Sequence, residues 1–458
     1  MTGKTPRILI VDDDPVTCEL LCEVFAREGF ETSSQQSGEA ALVSMERFSP
    51  DVLVSDIRMK TRLDGLSLLD RVRREHPSTS VVLMTAFGSI ETAIRAVKEG
   101  AFDYISKPFD INTLVATVRR ALATAPPARS LAPIEDEERT SGLVGRAPAM
   151  LEVYKMIARV SDTPAAVLII GESGTGKELV ARAIHMHGAR AARPFVAVNC
   201  GALTETLLES ELFGHVKGSF TGAIANKRGI FEQAAEGTVF LDEVSEMSSG
   251  LQVKLLRVLQ EREVVPVGST TPIKVGARVI AASNCDLEQL SAEGAFRSDL
   301  LYRLNVIQIN LPPLRERRDD IPLLVAHLLR KHTPEGQVLP AVDENAMRAL
   351  TAYSWPGNVR ELENVIERAV TLCQGGHITL DDLPDKLRRE GVDAGAPRLT
   401  ADDLAELFSG LPDLDEIERR YLLHVLEATG GNRKRAAEIL GINRKTLYRM
   451  AARFRLEL

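Results

Sequence analysis

The feature that most constrains the fold of this chain is a glycine-rich turn between an apolar strand and a helix, in the run AVLIIGESGTGKE. The pattern G-x-x-x-x-G-K extends from Gly171 to Lys177. Glycines let backbone N–H groups surround a phosphate, a lysine reaches its terminal oxygens, and the start of a helix favours an anion. Because strand, loop and helix occur together, the run predicts a nucleotide-phosphate site in an α/β domain rather than a bare glycine-rich turn.

An acidic pair follows a second apolar strand, in GTVFLDE. Asp242 and Glu243 stand where a metal-binding acid and a water-activating base are expected after a phosphate loop. Asn199 ends another apolar strand, in VAVNC, and is placed to orient Glu243. These motifs predict ATP hydrolysis, and the phosphate loop disfavours the alternative of a surface acidic pair.

Between these motifs lies the hexapeptide GSFTGA, residues 218–223. An aromatic flanked by glycines and small polar residues suits a core poorly, so we predict that Phe220 lies on a mobile loop that contacts another molecule. The order of the motifs indicates ATP hydrolysis coupled to a moving contact.

Length and charge set the class of protein. The 458 residues predict three domains at roughly 150 residues each. Apolar content of 44% and charged content of 26% are ordinary for globular protein, and a net charge of -8 argues against nucleic-acid binding over the whole surface. No run reaches the ~18 apolar residues of a membrane span, and no signal peptide is evident, so we expect a cytoplasmic protein with no membrane partner.

Two stretches without apolar periodicity divide the chain, at residues 123–140 and 389–413. We predict linkers there and domains at 1–122, 141–388 and 414–458. The first domain alternates apolar strands such as RILIV and DVLVS with amphipathic helices. That alternation predicts a parallel sheet covered by helices.

Polar residues of the first domain fall where its predicted strands end, at the edge where parallel sheets gather ligands. They are Asp12, Asp13, Asp56, Thr85 and Lys107. Three converging carboxylates need a hard cation such as Mg2+ to be ionised together, and the lysine adds positive charge. The full set predicts phosphoryl transfer to a nucleophilic aspartate, although a lone strand-end aspartate is more often a helix cap.

The last segment is basic and helical. From Asp415 to Leu458 it holds ten Lys or Arg against six Asp or Glu, a net +4. Two helical stretches separated by a turn at Gly441 predict a helix-turn-helix that meets DNA phosphates, with a solvated dimerisation bundle as the alternative. Side chains with base-reading chemistry open the second helix: Asn443, Arg444, Lys445, Thr446 and Arg449.

The first domain closely resembles the receiver domain of two-component response regulators, which has a flavodoxin-like fold. The roles that the resemblance assigns are phosphoacceptor for Asp56, Mg2+ ligand for Asp12, Asp13 and Asp56, phosphate partner for Thr85 and Lys107, and switch aromatic for Tyr104. It also implies a cognate sensor histidine kinase. After Asp56 the run DIRMKTRLDG lacks the family's proline and carries one extra residue, which puts the rate of phosphotransfer in question.

The middle domain resembles the AAA+ ATPases of enhancer-binding proteins of the NtrC type, a P-loop fold with a helical lid. GESGTGKE, GSFTGA, FLDE, LPPLRER and WPGNVREL occur in family order. The resemblance assigns ATP binding to Gly171, Glu172, Ser173, Gly174, Thr175, Gly176, Lys177, Glu178, Asn199, Asp242, Asn284 and Arg360. Asp242 also binds Mg2+ in this assignment, and Glu243 is the catalytic base.

The same resemblance implies contacts with other chains. Arg297 and Arg303 match arginine fingers that reach ATP bound by a neighbouring subunit, so a homo-oligomer from dimer to hexameric ring is implied. Phe220 and Thr221 match the contact with sigma-54, although Ser219 stands where the family usually has alanine.

The last domain resembles the all-α Fis-type DNA-binding domain, which binds palindromic sites as a dimer. Together the resemblances imply a phosphorylation-regulated, ATP-hydrolysing activator that binds double-stranded enhancer DNA and remodels the sigma-54 RNA polymerase holoenzyme to open promoters. One alternative is a DNA-binding regulator of ordinary promoters whose ATPase domain serves only oligomerisation. Another is a remodeller that works without phosphorylation of Asp56, and the sequence leaves open whether the receiver inhibits or stimulates.

Overall fold

The computed structural model describes most of the chain. The described residues are 5–60, 63–85, 90–124, 142–220, 223–334, 336–373, 376–388, 414–428, 433, 436, 440, 442 and 444–454. Thr221, Asn443 and the side chain of Arg444 lie outside this description, as do the predicted linker at 389–413 and all but residues 123 and 124 of the linker at 123–140.

The first sheet has five parallel strands in the order β2-β1-β3-β4-β5. The strands are β1 (Arg7–Val11), β2 (Glu31–Gln35), β3 (Val52–Asp56), β4 (Ser80–Thr85) and β5 (Asp103–Ser106). The helices between and after them are α1 (Pro15–Arg27), α2 (Gly38–Phe48), α3 (Gly65–Glu75), α4 (Ile90–Lys98) and α5 (Ile111–Ala123). The order confirms the predicted flavodoxin-like fold and brings the ends of β1, β3, β4 and β5 to one edge.

Local sequence explains these elements. Strands β3 and β4 are buried at every position, as strands covered on both faces must be. Side-chain oxygens cap four of the helices by accepting hydrogen bonds from first-turn N–H groups. The capping residues are Asp14, Ser37, Asp64 and Asp110.

The second sheet also has five parallel strands, in the order β14-β6-β13-β10-β7. They are β6 (Val167–Ile170), β7 (Phe195–Asn199), β10 (Thr238–Asp242), β13 (Arg278–Ser283) and β14 (Ile307–Asn310). The helices around this sheet are α6 (Pro148–Val160), α7 (Lys177–Met186), α8 (Glu205–Phe213), α9 (Ile230–Gln233), α10 (Ser249–Glu261), α11 (Leu287–Ala292) and α12 (Ser298–Leu304). The phosphate loop lies between β6 and α7, as predicted.

Two short antiparallel ladders close the loops near Phe220. Strand β8 (Gly214–His215) pairs with β9 (Lys227–Arg228), and β11 (Glu263–Val264) pairs with β12 (Ile273–Lys274). The N–H of Val216 donates to the carbonyl of Val267 at 3.0 Å. The loop that carries Phe220 is therefore attached to the loop between β11 and β12.

The chain divides into two compact units. One contains Met1–Leu328 and Trp355–Asn364, and the other contains Leu329–Ser354 and Val365–Leu458. Both parallel sheets lie in the first unit. The predicted helical lid is confirmed by α13 (Ile321–His332), α14 (Glu344–Ala352) and α15 (Asn358–Leu372), with a parallel ladder of β15 (Ala341–Val342) and β16 (His377–Ile378).

The C-terminal region is helical, as predicted. Helices α16 (Leu414–Ala428) and α17 (Arg444–Arg453) contribute to a small apolar core. Its buried members are Leu422, Val425, Ala436 and Leu447. Among the residues that the structure describes, no helix has the length and apolar character to cross a membrane.

Candidate functional sites

An acidic pocket forms at the carboxyl edge of the first sheet. Carboxylate oxygens of Asp12, Asp13 and Asp56 lie within 4.8 Å of one another. Lys107 follows β5, and its Nζ donates to Oδ2 of Asp12 at 2.6 Å and to Oδ2 of Asp56 at 2.8 Å. Three oxygen donors at this spacing fit a Mg2+ ion. The structure thus brings together the three predicted carboxylates and the predicted lysine.

The electrostatics of this pocket depend on burial and on Lys107. Burial raises the pKa of Asp56 above its ordinary value, and the hydrogen bond from Lys107 offsets part of the shift. Burial alone would lower the pKa of Lys107, but the hydrogen bonds to Asp12 and Asp56 outweigh it and raise that pKa. Lys107 is therefore a fixed positive charge beside the carboxylate that is predicted to attack phosphorus.

Thr85 and Tyr104 lie next to each other behind this pocket, and both are fully buried. The carbonyl of Thr85 accepts a hydrogen bond from the N–H of Lys107 at 2.6 Å. Burial raises the pKa of Tyr104, and the Thr85 side chain offsets part of that effect. The Tyr104 ring is thus inside the fold, one residue beyond Asp103 on β5.

The described residues on both sides of the altered segment lie beside the predicted phosphoacceptor Asp56. The N–H of Gly65 donates to the carbonyl of Ile57 at 2.9 Å. A Cβ at Gly65 would lie 2.2 Å from the carbonyl oxygen of Asp56, so any other residue would force the two segments apart. Nζ of Lys60 lies 3.7 Å from Oδ2 of Asp13. The replacement of the family's proline segment thus places a second lysine at the rim of the acidic pocket.

The phosphate loop wraps around Lys177. Gly174 and Gly176 have φ values of 77° and 105°, which only glycine adopts readily. Nζ of Lys177 donates to the carbonyls of Gly171 at 2.8 Å and Glu172 at 3.2 Å. Burial lowers the pKa of Lys177, while Asp242 and Glu243 act in the opposite direction. A lysine inside the loop, with acidic residues near it, is the arrangement that a triphosphate site requires.

The acidic pair lies at the end of β10, beside Asn199 on β7. Asp242 pairs in register with Asn199 across the sheet. Burial raises the pKa of Asp242, and Lys177 lowers it. Glu243 has a left-handed backbone, with φ of 55°. A Cβ built on Gly201 would lie 3.0 Å from Oε2 of Glu243 and 3.5 Å from Oδ1 of Asn199, so both side chains lie beside Gly201, and Oδ1 of Asn199 accepts from the N–H of Gly201 at 2.8 Å.

Asn284 lies just after β13 and lines a cavity of about 460 Å3 beside the phosphate loop. Gly171, Glu172 and Arg315 line the same cavity. Sγ of Cys285 donates to Oδ1 of Asn284 at 3.2 Å. Asn284, one of the predicted ATP-binding residues, is thus beside the phosphate loop, and its side-chain oxygen already accepts a hydrogen bond from Cys285.

The predicted arginine fingers are exposed at the two ends of α12. Arg297 precedes that helix and forms an ion pair with Asp299 at 2.7 Å, which raises the pKa of Arg297. Arg303 lines a separate cavity of about 300 Å3 together with Arg262 and Val306. Both guanidinium groups are at the surface, as groups that act on a neighbouring subunit must be.

Groups that the sequence did not single out hold the phosphate loop from the lid side. Both oxygens of Glu172 accept from Arg315, at 2.9 and 2.7 Å. Nδ2 of Asn358 donates to Glu172 and to the carbonyl of Ser173, each at 3.1 Å. Nη1 of Arg360, one of the predicted ATP-binding residues, donates to Oγ of Ser173 at 3.3 Å. The Glu172 carboxylate therefore points towards Arg315 and Asn358, and only the Glu172 backbone contributes to the phosphate loop around Lys177.

Two further members of the predicted ATP set have local roles. Oγ1 of Thr175 donates to the carbonyl of Glu172 at 2.8 Å and so braces the loop. Glu178 pairs with Arg182 one helical turn later, at 2.6 Å. The motifs LPPLRER and WPGNVREL contain the partners of Glu172, but motif order alone does not indicate which of their residues pair with it.

The described residues Ser219 and Phe220 contact other residues of the ATPase domain. The Phe220 and His215 rings meet edge to face, with centroids 5.0 Å apart, and Phe220 is half-buried. A Cβ at Gly268 would lie 2.6 Å from Cβ of Ser219, so these two residues are in close contact. Oγ of Ser219 is buried without a hydrogen-bond partner among the described residues. Thr221, the other predicted sigma-54 contact, lies outside them.

The described part of the predicted DNA surface lies on α17. Lys445 and Arg449 are exposed, and Thr446 is half-buried. Tyr448, which the sequence did not single out, is exposed on the same helix, and its hydroxyl accepts from Arg433 at 3.2 Å. The Arg433 guanidinium also lies 5.8 Å from the centre of the Tyr448 ring.

The receiver and the ATPase domain meet through α4, β5 and α6, a contact that the sequence did not predict. Nζ of Lys155 on α6 lies 2.5 Å from Oδ1 of Asp103, and both residues are 7% exposed. Nζ of Lys98 on α4 donates to the carbonyl of His187 at 2.6 Å and lies 3.1 Å from Asp162. Apolar residues of the receiver and of α6 belong to one buried cluster.

Models of known families match four stretches of the chain. They are the response regulator receiver domain at residues 8–119, the sigma-54 interaction domain at 143–310, the AAA+ ATPase lid domain at 315–399 and the Fis family of bacterial regulatory proteins at 413–452.

Similar proteins match over nearly the whole chain. Regulatory protein AtoC of Escherichia coli is 47% identical over 446 residues, which cover 96% of each protein. The transcriptional regulator NtrC of Azospirillum brasilense is 42% identical over 461 residues, again 96% of each. Crystal structures of NtrX from Brucella abortus in complex with ADP and with ATP are 35% identical, with a TM-score of 0.51, and the match covers 99% of this chain and 100% of NtrX.

Proposed function

Because the chain belongs to the NtrC family of sigma-54-dependent response regulators, we propose that phosphorylation of Asp56 switches on ATP hydrolysis at Lys177 and Glu243, and that hydrolysis drives the Phe220 loop against sigma-54. The protein is a receiver-regulated, sigma-54-interacting ATPase that binds ATP, activates transcription and has a Fis-type DNA-binding domain. A sensor kinase, RNA polymerase and DNA are its partners in general terms.

In the receiver, one oxygen of ionised Asp56 attacks the phosphoryl group of a cognate sensor histidine kinase, and the bond from phosphorus to the kinase histidine breaks. Lys107, at 2.8 Å from Asp56, stabilises the added negative charge. Asp12, Asp13 and Asp56 would hold Mg2+, which when bound offsets charge on the phosphate. The Thr85 hydroxyl is the remaining phosphate partner.

In the ATPase domain, Lys177 binds the terminal phosphates and Glu243 accepts a proton from the attacking water. Asp242 would hold the Mg2+ that accompanies ATP. The side chains of Asn199 and Glu243 both lie beside Gly201, which supports a role for Asn199 in orienting the base. Asn284 and Arg360 contact the γ-phosphate from the sheet and from the lid.

The exposed Arg297 and Arg303 support assembly into a ring. A guanidinium group stabilises transition-state charge only when it reaches the phosphate, and these two are at the surface beside α12. We infer that each subunit supplies them to its neighbour, in a homo-oligomer that grows from dimer to hexamer.

The contact between receiver and ATPase domain supports inhibition by the unphosphorylated receiver. Asp103, which pairs with Lys155, is adjacent in sequence to Tyr104, and Tyr104 contacts Thr85 at the phosphorylation site. A change at Asp56 that moves Thr85 and Tyr104 would therefore act directly on the Asp103–Lys155 pair. Phosphorylation would release α6 from the receiver and so relieve repression.

The output contacts are Phe220 and Thr221 for sigma-54, and Asn443, Arg444, Lys445, Thr446 and Arg449 for double-stranded enhancer DNA. The basic excess of the C-terminal segment supports the DNA assignment. Transcription takes place in the bacterial cytoplasm, so we propose that location for the protein.

The observation that supports this function most directly is the position of Phe220. It belongs to the same compact unit as the phosphate loop, and both lie within the residues that match the sigma-54 interaction domain. The test is open-complex formation by purified sigma-54 holoenzyme, with ATP or a non-hydrolysable analogue and with the protein phosphorylated or not. We expect opening only with ATP and only after phosphorylation. No opening in any state, despite ATPase activity and DNA binding, would favour a regulator of ordinary promoters, and opening without phosphorylation would refute the switch.

A further inference from the structure

Three consecutive residues of the phosphate loop are bound by groups from the lid side. Glu172 accepts from Arg315 through both carboxylate oxygens. Ser173 accepts from Arg360 through its hydroxyl oxygen, and the carbonyl of Gly174 accepts from the N–H of Arg360 at 3.2 Å. All of these residues belong to one compact unit.

Asn358 also connects the phosphate loop to the lid side, and its side chain is confined to one environment. It is fully buried and has a left-handed backbone, with φ of 52°. Its Oδ1 accepts from the N–H of Leu314 at 2.8 Å, while its Nδ2 donates to Glu172 and to Ser173. The side chain of Asn358 therefore joins the segment that carries Arg315 to the phosphate loop.

We propose that Glu172 is a positioning residue for ATP binding, which fixes the distance between the phosphate loop and Arg360 by holding Arg315 and Asn358. The proposal rests on the proposed function, in which Arg360 contacts the γ-phosphate. Glu172 itself does not bind the nucleotide through its carboxylate. It acts through Arg360, which stands two residues beyond Asn358 on α15.

The exposure of this ion pair separates a positioning role from a role in folding. The Glu172 and Arg315 side chains are 41% and 43% exposed, and exposed ion pairs contribute at most about 1 kcal/mol to stability in typical cases, with bidentate pairs such as this one at the upper end. By contrast, Arg317 is buried and donates to the carbonyl of Thr175 at 3.1 Å, so its loss would affect the fold. A change at Glu172 should therefore alter the geometry of the nucleotide site in a folded protein.

The test measures ATPase kinetics of the phosphorylated full-length chain with Glu172→Gln, Arg315→Gln and Arg360→Ala. A glutamine retains the size of Glu172 but not its two acceptor oxygens. We expect Glu172→Gln and Arg315→Gln each to raise KM for ATP by about three- to tenfold, with a change in kcat of less than about twofold. Glu232→Gln, which removes a partly exposed ion pair with Arg228 far along the chain, is the control and should leave KM unchanged.

A double variant distinguishes action through Arg360 from independent binding. If Glu172 positions Arg360, the KM of Glu172→Gln with Arg360→Ala should equal that of Arg360→Ala alone. The proposal would be overturned if the increase in KM of the double variant equalled the product of the two single-variant increases, or if Glu172→Gln had the wild-type KM. Thermal unfolding identifies any misfolded variant, and Arg315→Gln removes the same pair from outside the phosphate loop. Absence of ATPase activity in the phosphorylated wild-type chain would instead refute the proposed function itself.

Discussion

Replacement of Lys155 by methionine should release the ATPase domain from its receiver. Lys155 and Asp103 are both 7% exposed, and their charged atoms are 2.5 Å apart across the contact between α6 and β5. Methionine keeps the length and apolar stem of lysine but removes the charge. If inhibition depends on this contact, the unphosphorylated variant should hydrolyse ATP faster than the unphosphorylated wild type.

The size of the free-energy loss depends on the hydrogen bonds that Asp103 keeps in the Lys155→Met variant. Loss of one partner of a buried ion pair costs about 3–5 kcal/mol when the remaining charge has no other partner. Asp103 still accepts from Arg120 at 2.8 Å and from the N–H of Tyr104 at 2.8 Å. The expected loss is therefore about 1–2 kcal/mol, which shifts the equilibrium between docked and released receiver by about five- to thirtyfold.

The assay compares steady-state ATPase rates of Lys155→Met with and without phosphorylation. We expect the unphosphorylated rate to rise by up to this factor and the phosphorylated rate to stay at the wild-type value. Lys98→Met, which removes the bonds to His187 and Asp162, should act in the same direction. Glu152→Gln is the matched control, because Glu152 also pairs with Lys155 but is 70% exposed. Unchanged unphosphorylated rates in both lysine variants would refute inhibition through this contact, and lower phosphorylated rates would indicate a stimulating contact instead.

In metal-free protein the pKa of Asp56 should lie above the ordinary value of about 3.9, and Lys107→Met should raise it further because the offsetting hydrogen bond is lost. Carbon NMR titration measures both values, and a pKa below the ordinary one would contradict the geometry. The Glu243→Gln variant should bind ATP normally but have a kcat lower by about 10²- to 10⁴-fold, since the base that accepts the proton is removed. The Lys177→Ala variant should lose ATP binding. Measurements of nucleotide affinity and of single-turnover hydrolysis distinguish the two. Phe220→Ala should hydrolyse ATP at the wild-type rate and form no open complexes, and normal promoter opening by this variant would show that the loop does not contact sigma-54.

Residues that act within one motif were predictable from the sequence. Strand-end residues of a parallel sheet converge on one edge, so the sequence alone was enough to place Asp12, Asp56 and Lys107 together. The fold class followed in the same way, because apolar strands that alternate with amphipathic helices have few ways to pack. The place of Lys177 in the phosphate loop was predictable from the loop pattern alone.

Contacts between motifs were not predictable. Arg315 and Glu172 are far apart in the chain, and each is an ordinary charged residue in its own segment. Lys155 is one of several charged residues on α6, and only the packed receiver distinguishes it from the exposed ones. Such pairs depend on how helices and loops approach each other, which periodicity and motif spacing do not specify.

A single helix connects the receiver contact to the phosphate site. Helix α7 begins at Lys177 and ends at Met186, and the carbonyl of the next residue, His187, accepts the hydrogen bond from Lys98 of the receiver. A cation at this end of a helix stabilises the negative end of its dipole, while the N-terminus of α7 is the end proposed to face the phosphates of ATP. Helix α7 has ten residues and is about 15 Å long. If it moves as a rigid body, a displacement of α4 would change the position of α7 as a whole. We infer that the receiver controls the ATPase by restraining the helix that presents Lys177, so phosphorylation can act on the nucleotide site without direct contact between the receiver and the nucleotide.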